Sequence, residues 1–196
     1  DGPEDRTLGE RCMGAILPDF GGATGFYPQI IQSREAVSIF YDTGQGQGWQ
    51  RVIPITDRPH LPSRVRQWWG DSRGRWEGTT LVVETTNYNG KGSIATSAAT
   101  GRMRGIPQSD ALRLTERFTP VDENTIEYRV TIDDPKVYAR PWTVAMPLNR
   151  DPAYRMFEYS CHEHNISIAN ELSGGRALDR AAAGQGQRSA TGAGRE

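Results

Sequence analysis

Three histidines, His60, His162 and His164, are the side chains in this sequence best suited to moving protons near neutral pH. His162 and His164 are two residues apart, a spacing that puts both on one side of a strand. With His60 they would supply three ligands and leave a fourth position open, as a catalytic divalent metal requires. The plainer arrangement has one histidine at a strand end, one in solvent and one against the prolines of Asp57-Arg-Pro-His-Leu-Pro62. The expectation is therefore no cofactor, with a divalent metal as the alternative. Without a metal, His162 or Glu163 acts as acid or base, and His60 is a third proton carrier.

Two further carboxylates stand out. Glu116 interrupts an apolar face between Leu114 and Phe118, and Glu84 sits among β-branched neighbours. A buried glutamate must be paired, neutral or in use. Arg51, Arg117 and Arg129 are available partners, so a structural ion pair competes with catalysis at each. Trp68, Trp69 and Trp76, with Tyr41 and Tyr128, supply aromatic surface that either fills a core or stacks on a sugar or an aromatic ring. Asp71 and Arg73 lie in a turn beside Trp69; they pair with each other or orient a ligand through charge-assisted hydrogen bonds. Trp69, Asp71, Arg73, Tyr41, Tyr128 and Arg117 are the substrate-binding candidates. There is no Gly-x-Ser-x-Gly elbow, which disfavours covalent hydrolase chemistry. The glycines of Thr43-Gly-Gln-Gly-Gln-Gly48 lack the spacing of a phosphate cradle and no helix follows, so they read as a hairpin loop.

The composition sets limits. The 196 residues suit one domain, or one domain with a tail, and 36% hydrophobic with 24% charged content fits a globular chain. A net charge of −1 gives no reason to expect nucleic acid or an anionic membrane as partner; a small molecule is the expected one. Lys91 and Lys136 are the only lysines among 23 basic residues, so Schiff-base chemistry has few candidates and guanidinium recognition many. No apolar run approaches the roughly 20 residues that span a bilayer. The sequence opens at Asp1-Gly-Pro without a signal peptide and reads as a mature or truncated product. Cys12 and Cys161 fit no metal spacing. In a secreted chain they would form one disulfide; otherwise they are two separate buried thiols.

These groups must be positioned by strands. Residues 29–33, 36–42 and 49–55 are short strands, and Pro54 marks an edge or an end. Ser63 caps a helical turn through Trp69, Gly70–Gly74 turn, Arg75–Glu77 form a short strand, and Thr80–Asn87 is a strand of high β-propensity. Residues 89–110 read as a long mobile loop. Leu112–Thr119, Thr125–Ile132 and Trp142–Leu148 alternate apolar and polar with a period of two, and Tyr154–Cys161 is the last strand. This predicts a mainly β fold: an antiparallel up-and-down (lipocalin-like) barrel or curled sheet of about eight strands with a short C-terminal helix. The layout is an extended arm over 1–28, a β-barrel domain over 29–165, a short helix over 166–183 and a disordered tail over 184–196.

Several long motifs carry a resemblance. Asp1-Gly-Pro-Glu-Asp-Arg-Thr-Leu-Gly-Glu-Arg-Cys12, Trp69-Gly-Asp-Ser-Arg-Gly-Arg-Trp-Glu-Gly78, Leu81-Val-Val-Glu-Thr-Thr-Asn87, Thr131-Ile-Asp-Asp-Pro135 with Arg140-Pro-Trp-Thr143, and Tyr159-Ser-Cys-His-Glu163 resemble a large family of secreted proteins from soil bacteria. The resemblance covers nearly the whole chain. It implies export through a signal peptide, hence a secreted or periplasmic location, and a lipocalin-like β-barrel. It implies no reaction. Members usually carry a further N-terminal region absent here. The sequence departs from the pattern at Thr79, where an acid usually follows the glycine, and at His164, where a small residue is commoner.

Two functions follow. One is a secreted small-molecule enzyme using acid–base chemistry, as a lyase, isomerase or hydrolase, on a sugar-like or aromatic compound. The other is a small-ligand-binding β-barrel without chemistry. For the enzyme the expected proton carriers are His162, Glu163 and His60, with Glu84 and Glu116 as further catalytic candidates.

Overall fold

A computed structural model describes residues 11–12, 27–42, 49–94, 106–156, 160, 162–163 and 165–192. Their elements are β1 (Tyr27–Gln32), β2 (Ala36–Asp42), β3 (Trp49–Pro54), β4 (Asp71–Glu77), β5 (Thr80–Thr86), β6 (Ser93–Ile94), β7 (Ile106–Pro107), β8 (Arg113–Pro120), β9 (Thr125–Asp133), β10 (Trp142–Asn149) and α1 (Ser167–Gly192). The eight longer strands are antiparallel and fall into two sheets, β1-β2-β3 and β10-β9-β8-β5-β4. A fold that is mainly β, with one C-terminal helix, is thus what the alternating sequence builds.

Turn chemistry sets the hairpins. Between β1 and β2 the Ser33 hydroxyl donates to the Ala36 carbonyl at 2.9 Å and accepts from the Ala36 N–H at 3.0 Å. Between β4 and β5 Gly78 takes φ +61°, which a side chain would oppose. Register then aligns one inward face. Leu81, Phe118, Tyr128 and Met146 form one row across β5, β8, β9 and β10; Val83, Glu116, Val130 and Val144 form the next; Thr85, Leu114, Ile132 and Trp142 the third. Val37, Ile39, Tyr41, Arg51 and Ile53 line the facing side of β2 and β3, all buried.

The sheets meet edge to edge at a single parallel bridge, Ile55 to Gly74, with the Thr56 N–H donating to the Gly74 carbonyl at 3.1 Å. Gly74 permits the approach, since a Cβ there would lie 2.8 Å from Ile55 Cδ1. Among the described residues no ladder joins β10 to β1. The described residues therefore form two antiparallel sheets and no barrel closed by hydrogen bonds. The Tyr27 and Tyr154 rings, one at the start of β1 and one beyond β10, stack at 4.1 Å between centroids.

Several expected boundaries move. Residues 71–74 belong to strand β4, because Thr86, Thr85, Glu84 and Val83 pair with them and override the turn-like composition. Residues 63–69 form turns and a bridge from Gln67 to Tyr88 rather than a capped helical turn. Tyr154–Met156 are not strand; Asp151 terminates β10 by accepting the Ala153 and Tyr154 N–H groups. Helix α1 continues past residue 183 to Gly192. The expected loop at 89–110 is pinched by the two-residue β6–β7 ladder, and residues 95–105 lie outside the described residues. So do residues 1–10 and 13–26 of the expected arm and 193–196 of the expected tail.

Across the interior, Arg51 on β3 reaches Glu116 on β8. Its Nη1 donates to Oε1 at 3.0 Å and its Nη2 to Oε2 at 2.6 Å, a two-pronged pair with side chains 4% and 0% exposed. The remaining polar groups are also engaged. Arg51 donates to the Ser72 hydroxyl at 3.2 and 2.9 Å and to Thr85 at 2.8 Å, and the Tyr128 hydroxyl donates to Glu116 at 3.0 Å. Burial works against the arginine's charge, but Glu116 outweighs it and the guanidinium is held more firmly protonated than usual. Burial, reinforced by the charge of Glu116, raises the Tyr128 phenol well above its ordinary range. Burial also raises the Tyr88 phenol, against the opposing pull of Arg51.

Two predictions follow from this network. Glu116→Leu alone should destabilise by about 3–5 kcal/mol, since it strands a buried guanidinium, while Arg51→Met with Glu116→Leu should recover most of the loss; urea midpoints of the three proteins measure both. Tyr88 and Tyr128 keep their protons in the folded state beyond the pH at which the unfolded chain releases them. Stability contributed this way is complete below about pH 10 and falls as pH rises beyond it. Because the Tyr88 hydroxyl is buried with at most a weak interaction with Thr85 among the described residues, Tyr88→Phe should cost little at neutral pH and flatten the alkaline decline, read by urea unfolding across that range.

Candidate functional site

The proton-carrying groups that the structure brings together lie at the start of β4. Asp71 is the first residue of that strand and is 6% exposed. Its Oδ2 accepts from His60 Nδ1 at 2.9 Å and from the Leu61 backbone N–H at 3.0 Å, and its Oδ1 accepts from Arg73 Nη1 at 2.7 Å. An ionised carboxylate only accepts hydrogen bonds, so His60 Nδ1 is the donor in this pair and Nε2 is the ring nitrogen not engaged by Asp71. The His60 side chain is 25% exposed, against 6% for its partner. A buried carboxylate thus orients a histidine whose other edge lies nearer solvent, an arrangement suited to accepting and returning a proton.

The local sequence explains how these groups meet. Gly70 takes φ +68°, and a Cβ there would sit 2.3 Å from the Thr86 carbonyl oxygen. Only glycine lets the chain enter β4 this close to the end of β5. The proline-bounded loop carrying His60 is then pinned by Asn87. Its amide nitrogen donates to the carbonyls of Leu61 at 2.9 Å, Pro62 at 3.2 Å and Val65 at 3.0 Å, while its oxygen accepts from the Thr86 hydroxyl at 2.9 Å. Asn87 itself has φ +62°, a conformation asparagine tolerates better than most residues. Asn87 was not among the residues expected to matter; the only cue is an asparagine ending a run of β-branched residues.

The other expected site residues scatter. His162 and Glu163 are exposed in a turn closed by Glu163 N–H to the Ser160 carbonyl and Asn165 N–H to the His162 carbonyl. Among the described residues neither side chain hydrogen-bonds to His60 or Asp71. His164 lies outside the described residues, and no group of three or more metal-ligating side chains forms among those described. Glu84 is on the outer face, 47% exposed and paired with Arg75 at 2.7 Å. A buried Glu84 is therefore corrected: with Val83 and Thr85 turned inward, the alternation of β5 turns it out. Arg117 is likewise outside, bonded to Glu77 at 2.9 Å, and its neighbour Glu116 is the interior partner of Arg51. Tyr41 and Tyr128 are buried in the packed interior, and Trp69 packs against that core. Trp76 is corrected from core filler to a side chain 41% exposed.

Cys12 is in a disulfide, and the Asn165 side-chain amide donates to its Sγ at 3.0 Å. The expected partner, Cys161, lies outside the described residues. No helix among the described residues is long and apolar enough to cross a membrane.

Replacing Asn87 with glycine keeps the backbone conformation and removes three contacts to the His60 loop. It should cost about 1–3 kcal/mol and speed amide exchange across residues 61–67, with β8 and β9 unaffected. Hydrogen exchange followed by mass spectrometry reads both effects. Comparison of the chain with family models, with curated proteins and with solved structures finds no match.

Proposed function

We propose that the protein is a small-molecule enzyme working by acid–base chemistry, as a lyase, isomerase or hydrolase, with His60 as the proton carrier. The observation that carries this reading is the carboxylate of Asp71, which is held by three donors and fixes the His60 ring through Nδ1, leaving Nε2 to exchange a proton with substrate. Asp71 orients the ring and stabilises the imidazolium that forms when Nε2 takes a proton. Arg73 contributes positive charge on the same carboxylate, and its Nε–H is buried without a partner among the described residues. A cationic donor bound to the same carboxylate as the base suits a substrate oxygen. A sugar-like hydroxyl compound or an oxygenated aromatic fits that requirement.

Export to an oxidising compartment, secreted or periplasmic, belongs to the same proposal. The motif resemblance to secreted proteins supports it, and so does a disulfide at Cys12, since such bonds persist outside the reducing cytosol.

The test is proton abstraction from 5-nitrobenzisoxazole, a reporter that needs only a positioned base. His60→Ala should lower the rate by about a hundredfold and Asp71→Asn by a comparable factor, with His162→Ala near wild type. Equal rates for wild type and His60→Ala would overturn the assignment, and a loss confined to His162→Ala would move it to the turn at 162–163.

A further inference from the structure

The space between the inner faces of the two sheets is not filled along its whole length. At the end of β4 and β5 remote from Asp71, a cavity of about 110 Å³ opens between the two sheets. Ile30 on β1 and Val37 and Ile39 on β2 form one wall; Trp76, Leu81 and Phe118 form the other. Phe118 packs against the Tyr128 ring at 4.8 Å between centroids, and the Tyr128 hydroxyl donates to Glu116. The cavity is thereby separated from the polar network by a layer of aromatic rings. Its lining contains no charged side chain. Gln32 and Thr79, both exposed, are its polar groups and lie at the opening. Ile30 and Trp76 are 36% and 41% exposed there, although both belong to the inward face.

Side chains in protein interiors interdigitate and leave few voids larger than a water molecule. An opening walled by aliphatic and aromatic groups gives water too few partners to be held well, and an apolar group replaces it favourably. The volume limits the guest. Drug-sized ligands occupy roughly 300–1,000 Å³, whereas apolar cavities of about 150 Å³ accept a single benzene ring. With no charged residue in the wall, the buried part of the guest must be uncharged.

We propose that this cavity is a binding site for one neutral aromatic ring, or a branched aliphatic group of the same size, carrying a hydrogen-bonding substituent directed to Gln32 and Thr79. The site is independent of the His60 assignment. It lies at the other end of β4, and Asp71 and Trp76 are five residues apart, roughly 17 Å along an extended strand.

The probe is p-cresol, titrated into the whole chain and followed by methyl resonances of Ile30, Val37, Ile39 and Leu81. Saturable shifts at those methyls are expected, together with a rise in melting temperature. Benzoate, of similar size but charged, should produce neither. Ile126→Trp places a ring in the cavity and should weaken p-cresol binding by roughly tenfold or more, a loss of one decade in Kd. Thr79→Trp, at an exposed turn position, should do the same and serves if the first variant fails to fold. Unsaturable shifts, shifts spread over the outer face, or unchanged affinity in a folded filled variant would overturn the site. Equal binding of benzoate would overturn the proposed chemistry.

Discussion

The contact on which the architecture depends is the buried pair between Arg51 and Glu116. The two sheets share one backbone bridge, so their faces must be held together by side chains. Most of that interface is aliphatic and tolerates sliding. A two-pronged guanidinium–carboxylate contact does not, because each nitrogen must meet its own oxygen. Ser72 and Thr85 satisfy further donors and Tyr128 a further lone pair, so the charges are desolvated without being left unpaired. Burying such a pair contributes little net stability compared with an apolar replacement of similar volume. Its contribution is alignment: β3 is fixed against β4, β5 and β8 in one register.

That alignment reaches the surface through β4 and β5. Ser72, which receives Arg51 on the inner face, is flanked by Asp71 and Arg73 on the other. The position of the His60 pair is therefore inherited from the interior. Gly70 and Asn87 complete the corner, the first by absence of a side chain and the second by three bonds into the loop. The His60–Asp71 contact and the Arg51–Glu116 pair lie on opposite sides of the same strand pair.

Much of the fold was legible because its strands obey a period of two. Leu114, Glu116 and Phe118 on β8 and Ile126 to Ile132 on β9 fall where alternation puts them. The same rule, applied strictly, places Glu84 outside, since Val83 and Thr85 are its neighbours. Density of β-branched residues obscured that point. The strand at 71–74 was hidden because Gly70-Asp-Ser-Arg-Gly74 has the composition of a turn; only pairing with β5 makes it extended. Trp76 looked like core on residue type alone, yet it stands at the open end. The link from His60 to Asp71 was not legible at all. Eleven residues separate them, and the contact exists because Asn87, a further sixteen residues on, folds the intervening loop back. Local sequence carries no record of a contact set from that distance.

The single bridge between β3 and β4 has a consequence for how the chain assembles. Strands β1, β2 and β3 form a three-stranded meander from near neighbours in sequence, and β8 to β10 form a second one in the same way. Both are low-contact-order pieces that form without long loop closure. The strand that joins them to β4 and β5 is different: β5 meets β8 only after the intervening segment has been spanned. Both meanders are local in sequence, whereas the β5–β8 pairing and the Arg51–Glu116 contact are long-range. The ion pair across the interior joins residues 65 apart in sequence, so it closes only when the two sheets face each other, and any separation of the sheets exposes their apolar inner faces to other copies.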